Sequence, residues 1–245
     1  DSTDNGHAFN YTVAAGISRT GEGADVGPGP SEFGGLPADN NAPTLSATRL
    51  GIVNNLLAGQ NDYSAEMWFR PGESNHFYGH YLLHRGTGDN NGDYLGVKTE
   101  TNTLYFYDGA LSRGQVQLTN DQWYHVGIAR QGNDVKVYLN GLEDISISRA
   151  ANAGLTTGQW AFGGRGDSIS TMNFTGNIDE VAVHGTALAG TSFQENYLSA
   201  IVQRDVPYAK TTLSFSPESY WRLDEVKPYT LAVDATGHGH TFTYN

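Results

Sequence analysis

Several features that would assign the chain to other protein classes are missing from its sequence. Cysteine is absent, so no disulfide bond holds the fold, which weakens the case for a small secreted disulfide scaffold. No apolar run approaches the ~20 residues of a membrane span, and we predict none. Lysine and arginine number 14 against 26 acidic residues, and the resulting net charge of −12 argues against nucleic acid as a partner.

The sequence motifs of several enzyme classes are missing as well. There is no Gly-x-Ser-x-Gly nucleophile elbow, no His-Glu-x-x-His zinc motif and no cysteine nucleophile. These absences give no support to an enzymatic function, and we predict that the chain is not an enzyme.

The most regular stretch, residues 121–141, predicts a β-hairpin. Its side chains alternate in character over residues 123–130 and again over residues 135–139, with a Gly/Asn/Asp turn between them. Asn140-Gly141 marks a second tight turn. Because two strands cannot bury a face alone, a larger sheet must surround the hairpin. We expect Trp123 to be buried beside the opposite sheet.

Similar strand signals recur about every ten residues along the chain, separated by glycine-rich turns, which predicts an all-β sandwich or barrel. Residues 188–201 are the one predicted helix. We expect residues 1–204 to form one module and residues 205–217 to be a linker. Residues 218–245 then form either the opening strand and turn of a next module or a donor strand that completes a sandwich.

One internal repeat connects the two ends of the sequence. Residues 1–11 align without gaps to residues 234–244, and six of the eleven positions are identical. The shared residues are Asp, Thr, Gly, His, Phe and Tyr, several of them turn formers. A sequence that ends as it begins is typical of a tandem array.

Five segments resemble the laminin-G-like, concanavalin A-like lectin/glucanase jelly-roll family, in its bacterial tandem-module form. These are residues 66–71, 122–130, 135–141, 176–188 and 219–242. The last segment is similar to the opening strand of such a module, yet it stands near the C-terminus. The resemblance implies two curved antiparallel sheets, a concave face and a structural calcium ion.

The resemblance also points to candidate metal and catalytic residues. Asp179 matches the position whose carboxylate commonly reaches calcium in this family, and the turn at Asp234, or its repeat at Asp1, is the expected co-ligand. The alternative is that Asp179 caps a strand or pairs with an arginine. Jelly-roll glucanases carry two glutamates around an aspartate on one strand face, whereas here Asp179 and Glu180 are adjacent and point to opposite faces.

Other polar motifs have a structural and a functional interpretation. Residues 89–93 resemble part of a calcium loop but lack a distal glutamate, which favours a solvated turn. His238 and His240 form a His-x-His pair that would suit zinc. Glycan binding requires exposed aromatic platforms, for which Trp160, Tyr105 and Tyr107 are the candidates, with Tyr78 and Tyr81 beside them. The competing interpretation is that these rings belong to the core.

Two functions from different classes remain open. The first is a structural or adhesive repeat of an extracellular or cell-surface bacterial protein, which assembles head-to-tail with neighbouring copies. The second is a carbohydrate-binding lectin module, whose partners are glycans. The predicted assembly residues are Tyr220, Trp221, Arg222, Leu223, Asp224 and Glu225. Because no first strand is predicted before Asp1, we expect the module to have an open sheet edge, which this segment fills either within the chain or in a neighbour.

Overall fold

The computed structural model describes residues 9–10, 26–28, 41–47, 49–88, 91–151, 153–167, 172–201, 208–223, 231–240 and 242–243. These residues form two β-sheets that pack face to face, with two short helices on the outside of one sheet. Neither helix in this part of the chain has the length and apolar character needed to cross a membrane.

The secondary-structure elements follow the predicted succession of short strands. The strands are β1 (Phe9–Asn10), β2 (Val26–Pro28), β3 (Asn41–Leu45), β4 (Gly51–Val53), β5 (Tyr63–Pro71), β6 (His80–Gly88), β7 (Asn91–Lys98), β8 (Thr103–Tyr107), β9 (Leu111–Gln117), β10 (Tyr124–Gln131), β11 (Asp134–Leu139), β12 (Leu142–Ser148), β13 (Trp160–Phe162), β14 (Gly176–His184), β15 (Ser219–Trp221), β16 (Leu231–Ala232) and β17 (Phe242–Thr243). The helices are α1 (Gly190–Ile201) and α2 (Tyr208–Ser214), and a short 3-10 turn covers Ala153–Thr157.

The two sheets confirm the predicted jelly-roll sandwich. The nine-stranded sheet has the order β16-β17-β1-β4-β13-β6-β7-β8-β9. The eight-stranded sheet has the order β12-β11-β10-β5-β14-β3-β2, and β15 pairs with β14 beside this path. Neighbouring strands are antiparallel, apart from the parallel pair β1 and β17.

The predicted hairpin lies within the eight-stranded sheet. Gln131 of β10 pairs with Asp134 of β11, and the register continues to Val126 opposite Leu139. Asn140 and Gly141 both have positive φ angles, 51° and 79°, as the type I′ turn between β11 and β12 requires. Strand β5 pairs with the other edge of β10, so the hairpin has the larger sheet it needs.

The core lies between the sheets because alternate side chains of each strand point inward. In β5, Ala65, Met67 and Phe69 belong to this core, while Glu66 and Trp68 point to the opposite face. Both sets are buried, since α1 and α2 cover the outer face of the eight-stranded sheet. The nine-stranded sheet contributes Leu82, Leu83, Leu95, Val97, Leu104, Phe106, Trp160 and Phe162 to the core.

Helix α1 confirms the predicted helix, and Gly127 shows how closely it packs. A Cβ atom on Gly127 would come 2.3 Å from the ring of Phe193 on α1, so only glycine leaves room there.

The predicted linker 205–217 is corrected, since it contains α2, and Tyr208 of α2 is fully buried against Trp68. The expected position of Trp123 was wrong in part. Its ring is buried with Trp68 under the helices and not beside the opposite sheet.

The two copies of the internal repeat meet in space. Strands β1 and β17 are parallel neighbours, and Phe9 pairs with Phe242 as Asn10 pairs with Thr243. These are the same positions that the sequence alignment matches, so the described parts of the repeat lie side by side in phase.

The segment predicted to fill an open sheet edge folds back onto its own chain. Val181, Ala182 and Val183 of β14 pair with residues 219–221 of β15, next to the short stretch where β14 pairs with β3. Between the two, a β-bulge interrupts the pairing of β14 with β5 at Asp179 to Ala182, and Glu180 has a φ of 52°. The same edge of β14 is therefore shared by two strands.

Candidate functional site

A cluster of tyrosines occupies the outer face of the nine-stranded sheet. The core residues of β7 and β8 are Leu95, Val97, Leu104 and Phe106, so the residues between them point away from the core. Tyr81, Tyr94, Tyr105, Tyr107 and Met172 form this tyrosine cluster. The ring centroids are 5.1 Å apart for Tyr81 and Tyr94, 6.0 Å for Tyr81 and Tyr105, and 5.8 Å for Tyr94 and Tyr107.

Glycine and histidine neighbours hold the tyrosine cluster in place. A Cβ atom on Gly96 would come 2.8 Å from the ring of Tyr105, so the ring lies directly over this glycine. The His84 ring stacks on Tyr94 with centroids 4.1 Å apart. Burial, reinforced by Tyr81 nearby, raises the pKa of Tyr105 well above its usual value.

The structure separates Trp160 from the other predicted platform residues. Tyr105 and Tyr107 lie together in the tyrosine cluster, whereas Trp160 is fully buried on the core side of the sheet. Its Nε1 donates a hydrogen bond to the Leu56 carbonyl at 2.9 Å, and its ring meets Tyr63 edge-on at 5.2 Å. A ring without exposed surface offers no face to a sugar, which corrects this part of the prediction.

Two neighbouring aromatic residues are exposed at the end of the tyrosine face. Phe77 is 70% and Tyr78 65% exposed, and their rings meet edge-on with centroids 5.1 Å apart. We call them the exposed ring pair. Tyr78 is among the aromatic residues predicted from the sequence and Phe77 is not, although an aromatic residue inside the polar segment 72–79 is a signal that it has no core position to fill.

Charged side chains lie beside the exposed ring pair. Lys98 Nζ is 5.5 Å from the centroid of Tyr78 and donates a hydrogen bond to its carbonyl at 3.2 Å. Glu100 lies 3.8 Å from Lys98 and 4.0 Å from Arg113. Arg113 pairs across the strands with Tyr105, so it shares the face of the tyrosine cluster. Aromatic surface and both signs of charge therefore meet at this end of the sheet.

A buried polar network lies on the opposite side of the molecule, under the helices. Glu66 has no exposed surface, and its two oxygens accept hydrogen bonds from His125 Nε2 at 3.0 Å and His184 Nε2 at 3.1 Å. Asn196 of α1 donates to both oxygens at 2.8 and 2.9 Å. Burial alone would raise the pKa of Glu66, but the two histidines outweigh it and lower the pKa to about 2. The network attaches α1 to the sheet.

In the part of the chain that the structure describes, neither Asp179 nor Asp234 belongs to a group of three converging metal-ligating side chains. Asp179 is buried in β14. Asp234 accepts hydrogen bonds from the backbone amides of Tyr220, Thr236 and His240 at 3.0 to 3.2 Å, so it caps its own turn. Asp1 lies outside the described residues. Within the described ranges, the one group of three metal-ligating side chains with converging donor atoms is Glu218, His238 and His240.

The predicted assembly residues are mostly buried within the chain. Tyr220, Trp221 and Leu223 have almost no exposed surface. The Tyr220 hydroxyl donates to Glu180, and Arg222 Nε lies 3.5 Å from the same carboxylate. Residues 224 and 225 lie outside the described part of the chain.

The predicted solvated turn, residues 89–93, is described only in part, because residues 89–90 lie outside the described ranges. Asp93 at its end is buried and accepts two hydrogen bonds from the Arg130 guanidinium.

Several solved structures share the fold at low sequence identity. A provisionally named carbohydrate binding protein from Bacteroides ovatus superposes with a TM-score of 0.53 and 16% identity over 82% of this chain, which covers 53% of that protein. Domain 4 of an extracellular arabinanase from Geobacillus stearothermophilus, solved with arabinotriose, gives 0.50 and 19% over 79% of this chain and 87% of that domain. A Trypanosoma rangeli sialidase gives 0.53 and 13%, covering 67% of this chain and 28% of the sialidase.

These structural likenesses establish the fold, since all three identities are below 25%. No curated protein sequence matches the chain. Residues 46–192, from the end of β3 through the start of α1, match the sequence profile of one family. This match includes the hairpin, the tyrosine cluster and β14, and it covers more than half of the chain. The chain therefore belongs to the concanavalin A-like lectin/glucanases superfamily.

Proposed function

We propose that the chain is a non-catalytic carbohydrate-binding module of an extracellular bacterial protein, and that the exposed ring pair is its sugar platform. The observation that carries the proposal is the exposure of Phe77 and Tyr78 next to Lys98, Glu100 and Arg113. Two similar structures support it by name, one as a carbohydrate binding protein and the other as a domain in complex with arabinotriose.

The chemistry of this surface suits a sugar ring. The apolar C–H face of a sugar packs on an aromatic side chain, and Tyr78 adds a hydroxyl group at the edge of its ring. Sugar hydroxyls need donors and acceptors placed around that contact, which the half-exposed side chains of Arg113 and Glu100 provide. Lys98 is buried and holds the Tyr78 backbone in place through its hydrogen bond to the Tyr78 carbonyl. The buried rings of the tyrosine cluster support the platform from behind because they fix the backbone of β6, β7 and β8.

Glycan binding by the exposed ring pair is directly testable. The chain is screened on a glycan array that includes arabino-oligosaccharides, and the best ligand is titrated by calorimetry. We expect a dissociation constant in the millimolar range or tighter, and Tyr78→Ala should weaken binding at least tenfold. The control is Leu142→Ala, because Leu142 is similarly exposed, at 66%, on the other sheet. Trp160→Ala is unsuitable, since the loss of a buried tryptophan costs ~3–5 kcal/mol of folding stability.

Two results would contradict this proposal. One is the absence of any glycan ligand, and the other is equal affinity of the Tyr78 and Leu142 variants. If Phe77→Ala alone removes binding while Tyr78→Ala does not, the platform is correct but its main contact is the phenylalanine.

A second candidate function is head-to-tail assembly with neighbouring copies through residues 218–245. The supporting observation is the pairing of β15 with β14, which involves three residue pairs and two fully buried rings. The same segment donated by a neighbouring copy would make the same contacts, so exchange loses no interaction. Light scattering over a wide concentration range tests this. Dimers or longer species at high concentration support assembly, and a monomer throughout contradicts it.

We also propose a structural calcium ion near Asp179. The support is the buried carboxylate next to the bulge in β14, at the position where the resemblance places a calcium ligand. A buried carboxylate needs a cation or several hydrogen-bond donors to stay ionised, and calcium accepts backbone carbonyls of such an irregular turn as further ligands.

A further inference from the structure

Three side chains from two separate segments converge at the C-terminal end of the described chain. Glu218 precedes β15, whereas His238 and His240 follow the turn that Asp234 caps. One donor atom from each of the three side chains lies within 4.8 Å of the other two. The two histidines are separated by one residue, so in an extended stretch both rings point to the same side.

Hydrogen bonds fix both imidazole rings around Glu218. The Nδ1 atoms of His238 and His240 lie 3.0 and 2.9 Å from the Glu218 carbonyl oxygen. His240 is buried, and its Nδ1 also lies 2.5 Å from Ser219 Oγ and 3.4 Å from Asp234 Oδ2. A carbonyl or carboxylate beside a ligating histidine is the usual surrounding of a protein-bound zinc ion, because it orients the ring.

We propose that Glu218, His238 and His240 bind a divalent transition metal, zinc by preference, which ties the C-terminal turn to β15. Two imidazoles and one carboxylate form a common three-ligand zinc set with room for water. Zinc bonds of about 2.0–2.2 Å in tetrahedral geometry require ligand atoms about 3.3 Å apart. The ligand atoms must therefore close in slightly, which the partly exposed Glu218 carboxylate can do by rotation toward the two fixed imidazole rings.

Binding at this site would have a structural consequence. Residues 218–221 and 234–240 belong to the segment that folds back to cover the edge of β14. A metal bound to the native state alone stabilises the fold by RT ln(1 + [L]/Kd), so zinc would hold this segment in place. This inference does not depend on glycan binding, because the exposed ring pair shares no residue with the metal cluster.

The test is calorimetric titration of the whole chain, first treated with chelator and then exchanged into a buffer that does not bind zinc. We expect one zinc ion per chain, at least tenfold weaker binding in His238→Ala, and a similar loss in Glu218→Gln. His238 is exposed, so its alanine variant should keep the fold, and circular dichroism checks this. His76→Ala is the matched control, since that loop histidine is outside the cluster, and it should bind zinc as the unmodified chain does.

A thermal measurement makes the result independent of the calorimetry. Zinc at a hundred times its dissociation constant should raise the melting temperature by about 5–10 °C, and calcium should not reproduce this shift. Three outcomes would overturn the proposal. These are the absence of zinc binding, an affinity equal in the His238 and His76 variants, which indicates adventitious surface binding only, and binding without any effect on the melting temperature.

Discussion

At the scale of single residues, Glu66 shows how this sandwich tolerates a carboxylate with no exposed surface. Removing an ionised group from water costs several kcal/mol unless donors replace the water. Three side chains from three elements supply them, namely His125 from β10, His184 from β14 and Asn196 from α1. The network therefore depends on the packing of the whole sheet and helix.

We predict that Glu66→Gln lowers the free energy of unfolding by about 3–5 kcal/mol, because the amide nitrogen would face donors and leave them unpaired. Urea denaturation measures the change. The matched control is Glu143→Gln, since Glu143 makes an exposed ion pair with Lys136 at 2.8 Å. Solvent screens this pair, so its loss should change the free energy of unfolding far less. Similar losses in both variants would contradict the structural role of the network.

The lowered pKa of Glu66 also predicts a pH dependence. The pKa of an unperturbed glutamate, 4.5, applies to the unfolded chain, and the pKa of Glu66 in the folded chain is about 2. Unfolding therefore takes up a proton at pH values between about 2 and 4.5. The stability that the group contributes is complete above about pH 4.5 and is lost as the pH falls toward 2. Unfolding free energies of the unmodified chain and Glu66→Gln should therefore converge over this window, and a constant difference would contradict the shift.

The calcium proposal is tested at Asp179. Chelator should lower the melting temperature of the unmodified chain, and excess calcium should restore it. At a hundred times the dissociation constant, calcium raises the free energy of unfolding by ~2.7 kcal/mol. Asp179→Asn should lose this sensitivity, because a neutral amide is a weaker ligand for calcium. Glu180→Gln is a useful comparison, since the adjacent carboxylate contacts Tyr220 and Arg222. An unmodified chain that melts identically with and without chelator excludes the ion.

At the scale of elements, tight turns determine how the hairpin meets the helix. Gly141 and Gly132 both have positive φ angles, 79° and 57°, but their surroundings differ. A Cβ atom on Gly141 would come 2.8 Å from the Gln194 Cα atom of α1, whereas nothing lies within 4 Å of such an atom on Gly132. The turn after β11 is therefore shaped by the helix as well as by its own backbone.

We expect Gly141→Ala to lower the unfolding free energy by about 2–4 kcal/mol, since it combines backbone strain with a clash against the helix backbone. Gly132→Ala should cost only about 1–2 kcal/mol, because the strain is not accompanied by a clash. Chemical denaturation of the two variants side by side gives both values. Equal losses would mean that α1 moves freely away from the turn.

At the scale of the whole molecule, the C-terminal segment completes the sandwich. Tyr220 and Trp221 are fully buried, and rings of this size bury about 150–250 Å² each. At about 25 cal/mol per Å², their loss approaches the stability of an ordinary domain, roughly 5–15 kcal/mol. The predicted module, residues 1–204, and the predicted separate segment, residues 218–245, therefore contribute described residues to one hydrophobic core.

We predict that a chain truncated after residue 217 does not unfold cooperatively, and that adding a peptide of residues 218–245 in trans restores a cooperative melting transition. The reason is that β15 contacts β14 through backbone pairing and buried rings without needing a particular connection. A peptide with Trp221→Ala is the control and should restore far less. A truncated chain as stable as the intact one would show that the segment is dispensable.

The sequence by itself determined the local elements and the family. Alternation and turn residues predicted the hairpin, the Asn140-Gly141 turn and helix α1, because these depend on contacts between residues near in the chain. The segments that resemble the jelly-roll family predicted the sandwich of two antiparallel sheets. A period of two shows that strand residues alternate, but it leaves open which set faces the core. That is why Trp160 and Tyr105 looked equivalent as platforms.

Only the tertiary structure decided what each face meets. It placed Trp160 in the core and Tyr105 on the outer face of the sheet, where its ring is also buried. It covered Trp123 with helices and left Phe77 exposed. Asp93 became buried because Arg130, distant in sequence, pairs with it. In the same way Glu218 reached His238 and His240, and the two repeat copies came together as β1 and β17. Contacts between distant residues depend on the packing of all the strands at once, and no local pattern encodes them.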